Sequence, residues 1–395
     1  MMNLTSSTVP RVLILVGGFG VVSFGSAQAQ TASFERFGDL PGGGFWSWAL
    51  GVSPDGSVVV GAGTPEGRSF PDEACRWEDG VLTGLGDLAG GTLPFSISEA
   101  YGTSDGGSVI VGNSIHNPGT EAFRWENDVM VGLGDFDGGA FFSWATDVSA
   151  DGSVVVGFSN RAGGAAAFRW TQPERLVPIL HTDPDALTFA EAVSPDGSVV
   201  VGSFILGNSR EAFRWTAEDG LVPLGDLPGG TFSAGHDISA DGSVIVGVAS
   251  SARGLQACRW TDSEGWVPLG SLEGDVVRSS ANAVSADGSV IVGSWTIELD
   301  RSPFLGVAFI WDAEHGMRDL REVLINDFGL DMAGWNLSRT TGISDDGGTI
   351  VGWGKNPDGR TEGWVVRIVH DQDGDGISDS LDACPVENAT GLDAD

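Results

Sequence analysis

A run of regularly spaced carboxylates near the C-terminus is the clearest chemical pattern in the sequence. In the twelve residues from Asp371 to Asp382, carboxylates stand at positions 1, 3, 5, 9 and 12, and Gly376 stands at position 6. Calcium prefers about six to eight oxygen ligands, and a glycine at this place lets the loop bend sharply around the ion. The pattern predicts one calcium site, with a solvated acidic tail as the alternative. The expected ligands are Asp371, Asp373, Asp375, the carbonyl of Ile377, Asp379 and Asp382.

Catalytic motifs are scarce in the rest of the chain. The five histidines are scattered over different parts of the sequence, at positions 116, 181, 236, 315 and 370. There is no Gly-x-Ser-x-Gly elbow, no His-Glu-x-x-His pair and no phosphate-binding loop. Acidic pairs are abundant but stand mostly at turns, so no glycosidase-like pair can be singled out. We assign no catalytic residue, and the sequence favours a protein that is not an enzyme.

The charge balance and the N-terminus indicate an exported protein. The 395 residues include 54 acidic and 20 basic side chains, and the formal net charge of −34 makes nucleic acid a poor partner. Val12 to Val22 is a short apolar stretch, and Ala27-Gln28-Ala29 offers a small-x-small cleavage pattern. We expect a signal peptide over residues 1–29, with an uncleaved anchor as the alternative. The mature protein would be secreted, extracellular or at the cell surface, without a transmembrane segment.

A ten-residue motif, V/I-S-x-D-G-S-V-V/I-V-G, recurs seven times with small variations. Each copy reads as the end of one short strand, a tight Asp-Gly turn and a buried second strand. Two further strands follow in a full repeat, and a period near 45 residues is the size of a four-stranded propeller blade. The turn serine or threonine falls at Ser57, Ser108, Ser153, Ser198, Ser243, Ser289 and Thr349.

The two ends of the repeat array indicate how it is closed. The last repeat lacks a fourth strand, whereas Phe34 to Gly43 matches the end of a fourth strand and its exit loop. Pairing of these ends would protect sheet edges that an open solenoid exposes. We therefore predict an all-β fold, a monomeric seven-bladed β-propeller of four-stranded antiparallel blades over residues 30–369, with the N-terminal strand closing the last blade. The longer spacing before the last repeat predicts a short helix within Met317 to Leu330 that caps the ring, or a longer loop.

Two positions that recur in the third strand of the repeats are predicted to have buried side chains. Five repeats carry an arginine in their third strand, and a buried charge needs a partner, for which the aspartates of turns and exit loops are candidates. The alternative is a ring of basic ligand contacts. Cys75 and Cys258 stand where other repeats have phenylalanine, which predicts two buried thiols. The arginines are Arg76, Arg124, Arg169, Arg214 and Arg259.

Strand parity selects one face of the ring for binding. The 1–2 and 3–4 turns share one face and are short and repetitive, whereas the 2–3 and 4–1 loops share the other face and vary, as binding loops do. Aromatic residues of the 4–1 loops form a candidate binding face, with core packing as the alternative: Phe45, Trp46, Trp48, Phe141, Phe142 and Trp144. A variable column of the inner strand is a candidate channel mouth, with ordinary channel lining as the alternative: Tyr101, Thr146, Glu191, His236 and Asn282.

The repeat resembles a known bacterial family. The combination of Gly-Asp-Leu-Pro-Gly-Gly, Val-Ser-Ala-Asp-Gly-Ser-Val-Val-Val-Gly and Ala-Phe-Arg-Trp-Thr is similar to the extracellular HAF-type repeat, over about 330 residues. The resemblance implies export and a propeller-like repeat but no activity. With Ala383-Cys384-Pro385, residues 370–395 look like a thrombospondin type-3 repeat that wraps calcium, and the resemblance implies an incomplete unit because Cys384 lacks a local partner.

Two functions are compatible with these patterns. The first is an interaction or scaffold protein that binds an extracellular protein or a glycan through the loop face or the channel mouth. The second is a propeller-fold hydrolase or lyase that acts on an extracellular polymer. Calcium is the one cofactor that the sequence predicts in either case.

Overall fold

The computed structural model describes residues 31–69, 73–88, 97–172, 175–272, 277–296 and 306–369. The signal peptide and the calcium loop lie outside these residues, and both stay predictions. Within the described ranges the chain forms short antiparallel strands, one α-helix and one 3-10 turn.

Groups of four consecutive strands form the sheets, and we number these groups as units 1 to 7. Unit 1 has β2 (Trp48–Val52), β3 (Val58–Gly63), β4 (Glu73–Glu78) and β5 (Val81–Gly86). Unit 2 has β6 (Ile97–Thr103), β7 (Val109–Ile115), β8 (Thr120–Glu126) and β9 (Val129–Gly132). Unit 3 has β10 (Ser143–Val148), β11 (Val154–Arg161), β12 (Gly164–Thr171) and β13 (Val177–Ile179). Unit 4 has β14 (Leu187–Val193), β15 (Val199–Leu206), β16 (Ser209–Thr216) and β17 (Gly220–Pro223).

The remaining units continue the pattern with one exception at the end. Unit 5 has β18 (Ser233–Ile238), β19 (Ile245–Ser251), β20 (Gly254–Thr261) and β21 (Gly265–Pro268). Unit 6 has β22 (Val277–Val284), β23 (Ile291–Thr296), β24 (Gly306–Asp312) and β25 (Gly316–Asp319), and a short parallel pairing of β20 with β22 joins it to unit 5. Unit 7 has β26 (Asn336–Ile343), β27 (Thr349–Lys355) and β28 (Thr361–Val369), and its fourth strand is the N-terminal β1 (Thr31–Arg36).

The repeated motif builds the turn between the first two strands of each unit. In unit 4, the Ser194 hydroxyl donates to the Asp196 carboxylate at 2.6 Å and accepts the Val199 N–H at 3.0 Å. The same carboxylate accepts the Ser198 N–H at 2.9 Å, and these hydrogen bonds lower the pKa of Asp196. Gly197 has a φ of +72°, which favours glycine. Each residue type of the motif therefore has a local structural reason.

These turns are joined to one another by backbone hydrogen bonds. The residue after the buried serine donates its N–H to the carbonyl of the same residue in the next unit, and Asp345 of unit 7 donates to Pro54 of unit 1 at 2.8 Å. The series is interrupted only where Pro54 and Pro195 have no N–H to donate. The seven residues in order are Pro54, Asp105, Ala150, Pro195, Ala240, Ala286 and Asp345.

The N-terminal strand is held in unit 7 by pairing and by charge. β1 runs antiparallel to β28 from Thr31↔Val369 to Arg36↔Trp364. Next to this pairing, the Arg36 guanidinium donates to both carboxylate oxygens of Glu362, at 2.9 and 2.8 Å. Glu362 is fully buried and also accepts from the Asn356 amide at 2.8 Å. The first strand of the chain therefore completes the last sheet, as the sequence predicts.

The core lies between neighbouring units. One buried cluster, for example, contains Val199 and Val201 of unit 4 together with Ile245 and Cys258 of unit 5. Both described cysteines are free and buried, in agreement with the sequence. Burial raises the pKa of the Cys258 thiol to about 12. The two thiols thus act as small apolar side chains.

The arginine column is structural, but its predicted partners are wrong. Arg124 pairs with Glu126 on its own strand at 2.7 Å, and its guanidinium lies 5.9 Å from the ring centre of Trp170 in the next unit. It also donates to the Gly152 carbonyl of the next turn rather than to the turn aspartate. The turn aspartate, Asp151, instead accepts from the Ser149 hydroxyl and the Ser153 N–H of its own turn. In unit 7, Val365 stands at this position, and Arg367 two residues later donates to the Gly56 carbonyl at 2.9 Å.

The insertion before the last repeat contains the predicted helix, α1 (Leu320–Asn326). Its N-cap is Asp319, whose carboxylate accepts two backbone N–H groups of the first turn. Leu320 and Leu324 are buried in the cluster shared by units 6 and 7. The short helix therefore forms within the predicted range, and its apolar face packs into the core of units 6 and 7.

Candidate functional site

The first strands of all seven units surround a central cavity of about 680 Å³. This volume is within the usual range of sites for small molecules. Six of the seven turn residues that are hydrogen-bonded in series, all except Asp105, belong to its wall, together with side chains from the middle of the inner strands.

One β-bulge in each inner strand supplies the side chains of the wall. Unit 7 has a second bulge, at Ser338. In every unit the pairing of the first and second strands skips the residue that follows the small inner-strand residue, and a bulge of this kind turns the skipped side chain away from the regular pleat. The predicted channel-mouth column coincides with these skipped residues. All seven lie on the cavity wall: Leu50, Tyr101, Thr146, Glu191, His236, Asn282 and Thr341. Their role in binding stays a prediction.

Several of the bulged side chains hold neighbouring units together. His236 donates from Nδ1 to the Ala281 carbonyl at 2.9 Å, a tautomer that we assign because a carbonyl can only accept. Asn282 donates in the same way to the Thr340 carbonyl at 2.7 Å. Burial lowers the pKa of His236 to about 4, so the ring is neutral at pH 7. His236 is therefore a structural tether rather than a free base.

Tyr101 and Glu191 make no such tether. The Tyr101 hydroxyl donates to the Glu99 carboxylate, and burial raises the pKa of the phenol above its usual range. Glu191 lies 3.5 Å from the Arg210 guanidinium, but burial outweighs this charge and raises the pKa of Glu191 to about 7. Glu191 can therefore hold or release a proton near neutral pH.

Aromatic side chains form a continuous half-buried wall on one side of the cavity. Trp144 lies nearly parallel to Phe158, with ring centres 6.3 Å apart and an interplanar angle of 10°. The ring centres of Phe142 and Tyr101 lie 6.3 and 5.3 Å from that of the same indole. The aromatic wall (Tyr101, Phe142, Trp144 and Phe158) is therefore a surface with access to the cavity and not part of a closed core.

The remaining predicted aromatic residues do not join this wall. Phe45 lies under the guanidinium groups of Arg36 and Arg360, at 5.7 and 5.6 Å. Trp46 packs edge-on against Trp48, and Phe141 packs edge-on against His116. The structure thus divides the six predicted aromatic residues, and only Phe142 and Trp144 line the cavity.

Arg339 is a cavity residue that the sequence did not single out. It stands in unit 7 at the position that Trp144 has in unit 3, one residue before the small inner-strand residue. Its side chain lines the cavity and is accessible, yet no carboxylate of the described residues pairs with it. The surrounding protein lowers the pKa of the guanidinium by partial desolvation.

Two aspartates of the cavity wall, Asp147 and Asp237, were also not predicted from the sequence. Asp147 accepts the N–H groups of Val148 and Val193 at 2.8 and 2.9 Å, and Asp237 makes the same pair of bonds to Ile238 and Val284. Each carboxylate therefore bridges two units. Burial raises the pKa of each aspartate to about 7.

Neither a metal cluster nor a membrane helix is found in the part of the chain that the structure describes. No group of three or more His, Cys, Asp or Glu side chains there could hold a metal ion. No helix there is long and apolar enough to cross a membrane.

Comparison with known proteins identifies the class of fold. No family model and no curated protein matches the sequence. Oligogalacturonate lyase from Vibrio parahaemolyticus is similar in structure, with a TM-score of 0.53 and 11% identity over 89% of this chain and 98% of that chain. A prolyl endopeptidase is similar with a TM-score of 0.54 and 10% identity, over 86% of this chain and 50% of that chain. TolB from Acinetobacter baumannii has a TM-score of 0.44 and 15% identity, over 69% of this chain and 62% of that chain.

Similarity at this level of identity shows the fold alone. The chain spans half the length of the prolyl endopeptidase and less than two thirds of that TolB. Together with the four-stranded antiparallel sheets, the likeness to the lyase and the endopeptidase defines an all-β protein with a β-propeller-like fold.

Proposed function

We propose that this protein is an exported, seven-bladed β-propeller interaction protein of the HAF-repeat type, which binds a glycan in its central cavity. The ring is supported by the seven groups of four strands and by the turn hydrogen bonds that run from unit 7 back to unit 1. Export is supported by the signal-like sequence of residues 1–29.

The aromatic wall is the main observation that supports a glycan site in the cavity. Trp144 and its three neighbours are half-buried and line the cavity, and covering their exposed apolar surface is favourable by about 25 cal/mol per Å². A flat aromatic face fits the C–H face of a sugar ring, and the polar side chains beside it suit the hydroxyls. A cavity of about 680 Å³ admits a few sugar residues but not a folded protein domain.

The proposal is tested by glycan-array screening, followed by calorimetry of the best ligand. We expect Trp144→Ala to weaken binding at least about tenfold, because a central buried aromatic contact is typically worth that much. Trp170→Ala is the matched control, since Trp170 is equally half-buried but lies outside the cavity. Equal losses in both variants, or no glycan binding by the wild type, would show that the proposal is wrong.

A hydrolase or lyase is the second candidate, and one observation favours it. Glu191 faces the cavity with a pKa of about 7, which suits a general acid or base near neutral pH. A turnover screen on the glycans that bind would separate the two functions. Product formation that is lost in Glu191→Gln would support the enzyme, whereas binding without turnover supports the interaction protein.

We further propose that the segment from Asp371 to Asp382 binds one calcium ion in the manner of a thrombospondin type-3 repeat. Its support is the alternation of carboxylates around Gly376 in the sequence. None of the cavity-lining residues belongs to this segment, so glycan binding and calcium binding can be tested with separate variants.

A further inference from the structure

We infer that the glycan held in the central cavity is acidic, and that Arg339 binds the carboxylate of a uronic acid residue while Trp144 packs against a sugar ring. The inference rests on the proposed function, since it names the class of glycan for the same cavity.

The first reason to expect an acidic ligand is that the Arg339 guanidinium has no counter-charge from the described residues. Its guanidinium reaches the cavity and lacks a carboxylate partner among the described residues, in a chain that has 54 acidic side chains against 20 basic ones. A partly desolvated cation that stays unpaired costs free energy unless a ligand supplies the counter-charge. Arginine is suited to this task because its planar fork can hold a carboxylate through two parallel hydrogen bonds.

The neighbouring arginine shows what a satisfied cation looks like in the same region. Arg210 pairs with Glu191 at 3.5 Å and donates to the Ser203 hydroxyl at 2.8 Å. It also lies within 6 Å of the ring centres of Phe189 and Phe232. Arg210 is therefore fixed by the protein, whereas Arg339 is left for a ligand.

The positions of Trp144 and Arg339 define how a ligand would lie. They occupy equivalent sites on the inner strands of units 3 and 7. In a ring of seven units these two are on nearly opposite sides of the cavity. A short saccharide that lies across the cavity can therefore place one ring against the indole and a carboxylate at the guanidinium. An acidic peptide would use Arg339 but would gain less from a flat aromatic face.

The test compares two trisaccharides by calorimetry on the full mature chain. One consists of uronic acid residues, and the other has the same residues with each carboxyl group reduced to a primary alcohol. We expect the wild type to bind the uronic acid form about 10- to 100-fold more tightly, which is the range for a charge-assisted hydrogen-bonded pair. The preference should decrease with added salt.

Variants of two arginines locate the effect. Arg339→Gln should abolish the preference and leave the affinity for the reduced trisaccharide within about twofold of wild type. Arg253→Gln is the matched control, because this exposed arginine lies in a turn outside the cavity and should change neither affinity. Thermal unfolding of Arg339→Gln close to that of the wild type shows that a lost preference is not a folding defect.

The outcomes separate this inference from the proposed function. Equal binding of both trisaccharides in a Trp144-dependent manner leaves the proposed function intact and overturns the inference. A preference that survives in Arg339→Gln also overturns it, as does binding of a tri-aspartate peptide in place of the uronic acid form. If neither trisaccharide nor any arrayed glycan binds, the proposed function itself is wrong.

Discussion

Replacement of Arg36 by alanine tests how the two ends of the chain are held together. Glu362 is 0% exposed, and three donors reach its carboxylate: two from Arg36 and one from Asn356. The Arg36→Ala variant removes two of these donors and the neutralising charge. The carboxylate then stays buried in the pairing of β28 with β1, where a charge without a partner destabilises the folded state.

The size of the effect follows from the exposure of the two partners. Breaking a buried ion pair by removing one partner costs about 3–5 kcal/mol, whereas an exposed pair is worth about 0–1 kcal/mol. Arg36 is 54% exposed, so water can replace part of what it donates. We expect a loss of about 2–3 kcal/mol in the free energy of unfolding. Arg36→Ala combined with Glu362→Gln should recover part of this loss, because a neutral amide needs no counter-charge.

The assay is urea unfolding followed by tryptophan fluorescence, with hydrogen exchange of the β28 amides as a second readout. Arg76→Ala is a matched control. Arg76 also pairs with one glutamate, at 2.6 Å, and also lies over an aromatic ring, but its partner Glu78 is 50% exposed. The control should lose about 1 kcal/mol or less. Equal losses for the two variants, or unchanged exchange of β28 in Arg36→Ala, would refute the reasoning.

Two further predictions concern pH and calcium. Because the folded pKa of Asp147 and of Asp237 is about 7, above that of an unfolded aspartate, their stabilising contribution is present at low pH and lost as pH rises through 7. The free energy of unfolding should fall by about 1 kcal/mol per aspartate from pH 6 to pH 8. His236 partly offsets this fall, because its lowered pKa makes the folded state more stable as pH rises. A free energy of unfolding that is constant or increases over this range in chemical denaturation would contradict the prediction. Calorimetric titration with calcium should give one binding event that Asp375→Asn weakens strongly, whereas no heat with the wild type, or equal heat with the variant, would show that the tail is not a calcium site.

Local turn chemistry made much of the fold predictable from sequence. The Ser-x-Asp-Gly-Ser motif specifies its own hydrogen bonds, as at Ser194 and Asp196, so its seven copies identified the strand pairs. The unpaired N-terminal strand was predictable for a similar reason, since a sheet edge needs a partner. Its anchor, the Arg36 and Glu362 pair, was not predicted because the two residues are 326 positions apart.

The candidate site was predictable only in part. The variable inner-strand column identified Tyr101 and Glu191, but sequence does not reveal that this column is a bulge, because a bulge depends on the register between two strands. His236 was predicted as a channel residue, yet its hydrogen bond to Ala281 gives it a structural role. Arg339 was overlooked because it stands at the inner-strand position that Trp144 has in unit 3, and only the aromatic residues Trp48 and Trp144 were singled out at that position.

The central cavity as a binding site is tested most directly by a crystal structure of the protein with the uronic acid trisaccharide. We expect the sugar inside the cavity, with one ring against Trp144 and a carboxylate oxygen within about 3 Å of the Arg339 guanidinium. A trisaccharide bound outside the cavity, or a cavity filled by the protein's own side chains, would contradict the proposed function.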